Sequence, residues 1–318
     1  IEKPAFDGLI LICEDNHMNQ QVICEHLARV GLRTMIAENG RIGVEMVQER
    51  IRKGQPPFDM IFMDIFMPVM DGVEAASKIT MLNTGTPVVA MTANMMTGEL
   101  DNYKKSGMYD CVGKPFTTQE LWRCLLKYLT PVSISAVDEA SQTRHDDELQ
   151  KKLRVKFVKD NQSKYAEITA AIAAEDITLA HRLVHTLKGN AGQIGKTALQ
   201  HAANQIEVLL KDGVIPPTEQ MSLLEMEFNR IFEELKPLLY EPSTQTETEN
   251  LDAQQIRSLL DELKAMLENI NPECVNMLDK IRAIPGAEEL ARQIEDYDFE
   301  SASRTLVELK KNWLRNHG

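Results

Sequence analysis

The fold is decided by residues 63–72, which read MDIFMPVMDG. The stretch closes an apolar run that begins at Met60, and Asp64 ends that run. A loop then leads to Asp71, a residue type that caps helices, and to an amphipathic segment. An apolar strand that leads through a short loop into a helix is typical of the βαβ unit of a parallel sheet.

The same alternation extends over residues 1–130 on both sides of this stretch. Strands are predicted at 9–13, 34–37, 60–63, 88–91 and 111–113, and helices at 19–30, 41–53, 73–80, 98–106 and 117–129. This pattern predicts an α/β domain with a doubly wound, five-stranded parallel sheet. Its functional site is expected at the carboxyl ends of the strands.

The rest of the chain is predicted to be helical and to contain two linkers. A Pro- and Ser-containing stretch, 131–146, is expected to be the first linker, and 241–250, which reads EPSTQTETEN, the second. Residues 147–240 have helical apolar spacing, with Asp176 as an expected N-cap, and predict a helical bundle. Residues 251–318 predict a further helical tail, in which Asn271 precedes a proline suited to a first helical position.

Composition limits the classes of function. The 318 residues carry a formal net charge of -13 and are 43% hydrophobic, which is too apolar for a disordered chain. No apolar run reaches the roughly 18 residues that a membrane span requires. The acidic balance argues against nucleic-acid partners and direct contact with an anionic membrane. Five cysteines without a CxxC pair favour a reducing compartment and buried thiols.

Three carboxylates follow two of the predicted strands. Glu14 and Asp15 follow the first strand, and Asp64 follows the third. Since these strands are neighbours in a sheet of this order, the carboxylates should meet and repel one another. A divalent cation, Mg²⁺ where a phosphoryl group shares the site, would relieve that repulsion. Thr92 and Lys114, at the ends of the fourth and fifth strands, add a hydroxyl and an ammonium group.

The residues at these strand ends resemble the receiver domain of two-component response regulators. The matching segments are ICEDN at 12–16, MDIFMPVMDG at 63–72, AMTAN at 90–94 and GKPF at 113–116. The resemblance implies that Asp64 is the phosphoacceptor and that Asp15, Asp64 and the Phe66 carbonyl bind Mg²⁺.

By the same resemblance, Glu14 acts on the ion through water, and Thr92 and Lys114 contact the phosphoryl oxygens. One position departs from the family pattern: Cys111 stands where an aromatic residue is common. We therefore expect phosphorylation to act less through movement of an aromatic ring than through onward transfer.

The helical bundle contains one segment with chemical character, HTLKGNAGQIG at 185–195. It resembles the histidine phosphotransfer domain, and the resemblance implies that His185 is a phosphoacceptor. Lys188, one turn further on, would offset phosphoryl charge. Glu207 matches a position where family members often hold the far ring nitrogen, although a solvated helix acid is the alternative.

A metal site is a competing interpretation of the same helix, because His181 and His185 are spaced i, i+4. Zinc helices of the HExxH type carry Glu after the first histidine, and Arg182 stands there instead. His201 is expected to be an ordinary residue of a helix face.

The tail contains a weak repeat of the bundle. Residues 297–311 align with 175–189, and Val307 falls at the position of His185. Two amphipathic helices of similar composition could align this well by coincidence. If the repeat is real, the tail is a degenerate phosphotransfer-like module that lacks the histidine.

Together these features predict a phosphorelay protein. The arrangement resembles the C-terminal part of a hybrid sensor histidine kinase, and a chain beginning at Ile1 is expected to be part of a longer protein. No Walker or kinase nucleotide motif occurs, so phosphate should come from an upstream kinase core, expected in the same polypeptide. A downstream receiver domain is the expected acceptor.

The expected location is cytoplasmic, including the cytoplasmic tail of a membrane-anchored sensor. The alternative is a binding switch gated by Asp64 phosphorylation, with His185 idle.

Overall fold

The computed structural model describes residues 2–93, 97–136, 139–239 and 253–317. The chain divides into two compact units. The first contains residues 1–136 and 244–318, and the second contains residues 137–243. Within the described residues, no helix is both long and apolar enough to cross a bilayer.

The first unit begins with an α/β domain. Its strands are β1 (Glu2–Ala5), β2 (Leu9–Cys13), β3 (Arg33–Ala37), β4 (Met60–Asp64), β5 (Val88–Thr92), β6 (Met108–Gly113) and β7 (Ser133–Ala136). Its helices are α1 (His17–Ala28), α2 (Gly40–Arg52), α3 (Gly72–Met81), α4 (Thr97–Lys105) and α5 (Thr118–Tyr128). Each predicted strand and helix of the parallel sheet is present, with ends that differ by three residues or fewer.

A parallel sheet with the order β3-β2-β4-β5-β6 forms the centre of this domain. Strands β2, β4 and β5 are buried at every position, as expected for strands covered on both faces. Asn16 caps α1, and Asp71 caps α3 by accepting a hydrogen bond from the Glu74 amide at 2.8 Å. The predictions of a doubly wound α/β domain and of the Asp71 cap are confirmed.

Residues 131–146, predicted as an irregular linker, contain regular secondary structure instead. Strand β7 pairs with β1 in an antiparallel, two-stranded sheet, and a helix begins again at Glu139. The strand escaped prediction because its partner is more than 120 residues away in the sequence, so that no local pattern marks it. Residues 137 and 138 lie outside the described part of the chain.

The second unit is an all-helical bundle. It consists of α6 (Glu139–Asp160), α7 (Lys164–Ala173), α8 (Ile177–Gln193), α9 (Thr197–Lys211), α10 (Thr218–Leu235) and a 3-10 helix, Lys236–Leu239. Asp176 caps α8 as predicted, accepting from the Leu179 amide at 2.9 Å. Helix α8 packs against α7 and α9, and its Val184 and Leu187 are fully buried.

The tail belongs to the first unit and is also helical, as predicted. It consists of α11 (Ala253–Glu268), a 3-10 helix (Pro272–Met277), α12 (Leu278–Arg282), α13 (Glu288–Glu295) and α14 (Phe299–His317). Asn271 caps the 3-10 helix by accepting from the Glu273 amide at 2.9 Å. The second predicted linker, 241–250, lies outside the described residues.

Candidate functional site

The three predicted carboxylates meet at the carboxyl end of the parallel sheet. Ligand oxygens of Glu14, Asp15 and Asp64 all lie within 4.8 Å of one another. The register of β2 and β4, in which Cys13 faces Met63, brings the strand ends together. Glu14 is fully buried, Asp64 is 3% exposed and Asp15 is half-buried, so the cluster has one side open towards solvent.

Glu14 is fixed by the first turn of α1. Its Oε1 accepts from the Asn16 amide at 3.2 Å and from Asn19 Nδ2 at 3.0 Å, and the Gln20 side chain donates to its carbonyl oxygen at 2.7 Å. Burial, followed by the neighbouring Asp64 carboxylate, raises the pKa of Glu14 to about 8. Ionising Glu14 at neutral pH therefore requires compensating positive charge at the cluster.

Lys114 compensates part of that charge. Its Nζ lies 2.7 Å from Glu14 Oε2 and 2.8 Å from Asp64 Oδ1. Burial alone would lower the pKa of Lys114, but the two carboxylates outweigh burial and raise it. The cluster has three carboxyl groups and one ammonium group, so a divalent cation could balance the charge that Lys114 leaves. The oxygen ligands of the cluster suit Mg²⁺.

Thr92 and Phe66 complete the predicted set. Thr92 ends β5 next to the strand that carries Asp64, and its carbonyl oxygen accepts from the Lys114 amide at 2.8 Å. Phe66 follows two residues after Asp64, and its amide lies 3.4 Å from Asp64 Oδ1. The structure thus brings all six predicted receiver-site residues to one edge of the sheet.

Gly72 is a site residue that the sequence reasoning missed. A Cβ at this position would lie 1.9 Å from the carbonyl oxygen of Asp64, a distance that no real atom could occupy. The glycine lets the start of α3 approach the strand end that carries Asp64. Its place at the end of MDIFMPVMDG was the available signal. Asn19 was missed as well, and only its spacing within the first turn of α1 could have indicated it.

The second site centres on His185, in the middle of α8. The side chain is 17% exposed, and its Nδ1 lies 2.6 Å from Glu207 Oε1 on α9. Lys188, one turn further along α8, pairs with the other carboxylate oxygen of Glu207. Since an ionised carboxylate only accepts hydrogen bonds, the ring nitrogen that faces Glu207, Nδ1, carries a proton.

Glu207 is therefore a buried acid rather than a solvated one. Burial alone would raise the pKa of Glu207, but hydrogen bonds and charge from His185 and Lys188 outweigh it and lower that pKa to about 2. The carboxylate is ionised at neutral pH and orients the imidazole. The geometry favours the predicted contact with the ring.

His181 lies beside this group without joining a metal cluster. Its ring stacks on that of His185, with centroids 6.4 Å apart and planes at 17°, and burial lowers the pKa of His181. Among the described residues, clusters of three or more metal-binding side chains occur only at Glu14, Asp15 and Asp64. The pair of histidines thus lacks the third ligand of a zinc site.

Both sites lie within regions of the chain that match known families. Residues 10–125 match the family described as "Response regulator receiver domain", and residues 152–311 match the "Hpt domain". The chain belongs to the Hpt family and carries a receiver domain. The Hpt match covers half of the chain and extends into the tail.

Several curated proteins share these regions. The two-component response regulator ORR41 of Oryza sativa is 32% identical over 121 residues, which are 37% of this chain and 92% of that protein. The signal transduction histidine-protein kinase BarA of Escherichia coli K12 is 27% identical over 242 residues, 68% of this chain and 25% of the kinase. Against its fungal relatives, which include the transcription factor SKN7 of Candida albicans, the chain spans 15 to 22% of their length.

One solved structure with a similar sequence is the receiver domain of the sensor histidine kinase PA1611 from Pseudomonas aeruginosa. It is 35% identical, with 38% of this chain and 97% of that chain covered and a TM-score of 0.35.

Proposed function

We propose that this chain relays a phosphoryl group between Asp64 of the receiver domain and His185 of the Hpt region. The observation that carries the proposal is the setting of His185: a half-buried imidazole whose Nδ1 is held at 2.6 Å by an ionised glutamate. A histidine that takes no part in phosphotransfer would not need a carboxylate that orients its ring. This contact favours the relay over the binding switch.

The transfer consists of two in-line displacements. In the first, an Asp64 oxygen attacks the phosphorus of a kinase phosphohistidine, a P–O bond forms, and the P–N bond breaks. In the second, His185 Nε2 attacks the same phosphorus, a P–N bond forms, and Asp64 leaves as a carboxylate. Such reactions have loose transition states, so catalysis is mainly positioning and charge compensation.

The residues around each acceptor divide these tasks. Lys114 and Thr92 are placed to contact phosphoryl oxygens on Asp64, and Lys188 is placed to offset phosphoryl charge on His185. Mg²⁺, held by Asp15, Asp64 and the Phe66 carbonyl with Glu14 acting through water, would neutralise charge at the receiver site. Glu207 keeps the proton on Nδ1 and so keeps Nε2 nucleophilic.

The partners follow from this chemistry. We propose a phosphohistidine kinase core as the donor, in the same polypeptide, and the receiver domain of a downstream response regulator as the final acceptor. Similarity to BarA over both regions supports this arrangement. The proposed location is the cytoplasm, without direct membrane contact by this segment.

The relay is tested with three variants of the full chain incubated with a phosphorylated donor kinase. Aspartyl phosphate survives acid better than base, and phosphohistidine shows the reverse. The unmodified chain should acquire base-stable label. Asp64→Asn should acquire no acid-stable label and no base-stable label that passes through the receiver. His185→Gln should accumulate acid-stable label alone. His181→Gln, one helical turn away on the same face, is the matched control and should keep base-stable label. If His185→Gln labels and turns over like the unmodified chain, the relay is refuted.

A further inference from the structure

The tail repeats the helical turn that precedes His185. The α7–α8 turn places Glu175 at φ +56°, and the α13–α14 turn places Tyr297 at φ +59°. The residue after each is an aspartate that caps the next helix: Asp176 accepts from an amide at 2.9 Å and Asp298 at 3.0 Å. Each of these aspartate amides also donates to the carbonyl five residues earlier, at 3.0 and 2.9 Å. The weak sequence repeat is therefore matched by the backbone.

The buried faces of the two second helices also agree. Ala180 and Val184 of α8 are buried, and so are Ala302 and Leu306 at the matching positions of α14. Val307, at the position of His185, is 59% exposed. The tail thus presents the same hairpin without a phosphoacceptor.

This hairpin contacts the receiver through Tyr297. The side chain is 4% exposed, and its hydroxyl donates to Glu25 Oε2 on α1 at 2.7 Å. Burial and the Glu25 carboxylate raise the pKa of Tyr297, so the hydroxyl remains a donor. A buried hydrogen bond to a charged group is among the stronger contacts that a side chain makes.

A second tail residue, Ile270, contacts the receiver independently. It follows α11 and packs, partly buried, against the apolar cluster of the receiver domain. Two points far apart in the tail sequence therefore touch the receiver domain, Tyr297 at α1 and Ile270 at a cluster whose helical members belong to α2, α3 and α4.

Both contact residues hold strained backbone conformations. Ile270, at φ +52°, and Tyr297 each stand just after a helix, where glycine is the usual residue. A β-branched and an aromatic residue are disfavoured there. In the described part of the tail these are the only non-glycine residues with positive φ, and both touch the receiver. A strained backbone conformation of this kind persists where surrounding contacts hold it in place, often at functional positions.

We propose that the tail, residues 253–317, is a histidine-free copy of the Hpt hairpin that docks on helix α1 of the receiver and competes there with phosphotransferring Hpt hairpins. The idea rests on the proposed relay. Because the docked tail covers the surface of α1 around Glu25, a second hairpin cannot occupy that surface at the same time. The docked tail slows transfer between Asp64 and the His185 of another chain.

Docking is tested by amide hydrogen exchange on the full chain. Tyr297→Phe and Tyr297→Gly both remove the hydrogen bond to Glu25. The glycine variant also removes the backbone strain, so its tail helices should stay protected from exchange. Exchange in α1 around Glu25 should rise on the order of tenfold, as expected for one lost hydrogen bond to a charged group. Glu175→Gly, at the equivalent turn of the bundle, is the matched control and should leave α1 unchanged. Unchanged α1 protection in both Tyr297 variants overturns the docking.

Competition is tested with two full-length versions that each keep one acceptor. A His185→Gln chain, labelled at Asp64 with acetyl phosphate, donates to an Asp64→Asn chain that keeps His185. Adding Tyr297→Phe to the donor should raise the transfer rate several-fold, and adding Tyr109→Phe, at an exposed tyrosine, should not. An unchanged rate despite faster exchange in α1 refutes competition. If no transfer occurs with either donor, the relay itself is refuted, and the exchange experiment alone decides the docking.

Discussion

Replacing Glu207 with glutamine should destabilise the Hpt bundle in a pH-dependent way. The carboxylate is held by His185 and Lys188, which together lower its pKa from 4.5 to about 2. One pH unit of difference corresponds to about 1.4 kcal/mol, so the folded state favours ionised Glu207 by about 3 kcal/mol. Glutamine keeps some hydrogen bonding, and we expect Glu207→Gln to lower the free energy of unfolding by about 1 to 3 kcal/mol at pH 7.

The sign of the pH dependence follows from the direction of the pKa change. Because the pKa of Glu207 is lower in the folded than in the unfolded state, its stabilisation is complete above pH 4.5. It is lost as the pH falls from 4.5 towards 2. The stability difference between the unmodified chain and Glu207→Gln should therefore shrink over this range.

Urea unfolding at several pH values, followed by circular dichroism, measures this difference. Glu234→Gln is a suitable control, since Glu234 forms an ion pair with Lys196 but is half exposed, and a small, less pH-dependent effect is expected. A difference for Glu207→Gln that is absent at pH 7, or constant between pH 7 and 3, would contradict the reasoning. A parallel loss of base-stable label would connect the same contact to the orientation of the imidazole.

Three further predictions concern the receiver site. Gly72→Ala should abolish labelling of Asp64 and lower the melting temperature, because its Cβ would collide with the Asp64 carbonyl; normal labelling would contradict this. Asn19→Ala should lower the free energy of unfolding by about 1.5 to 3 kcal/mol, since a buried carboxylate loses a hydrogen bond, and urea titration measures it. Removing Mg²⁺ with a chelator should suppress acid-stable label on Asp64 and restore it on readdition; labelling that persists at full rate would count against a cation at the acidic cluster.

Local patterns allowed most of the parallel sheet and the carboxylate cluster to be predicted, whereas the acceptor roles of Asp64 and His185 are proposals that came from the family resemblance. Strand ends, helix caps such as Asp71 and Asp176, and the carboxylates of neighbouring strands all follow from short stretches of sequence. The Glu207 contact needed a resemblance, because nothing in α9 alone distinguishes a buried acid from a solvated one.

The missed features depend on partners distant in the chain. Strand β7 pairs with β1, and Tyr297 bonds to Glu25 across 272 residues. In each case the local sequence gives no signal of the contact: the strand has a loop-like composition, and nothing around Tyr297, in the turn between α13 and α14, indicates its partner. Such contacts depend on how separate parts of the chain pack, which residue spacing does not encode.

The two proposed acceptors have differently charged surroundings, and this difference bears on the direction of transfer. A phosphoryl group on Asp64 adds negative charge beside Glu14 and Asp15, where Lys114 is the nearest cation. On His185 the same group is added beside Lys188, which is already paired with Glu207. In the proposed relay, the receiver site therefore depends on a divalent cation to retain the group, whereas the Hpt site relies on Lys188. In such a relay, metal binding can control how long Asp64 keeps the phosphoryl group, and the docking of partners can control its transfer to and from His185.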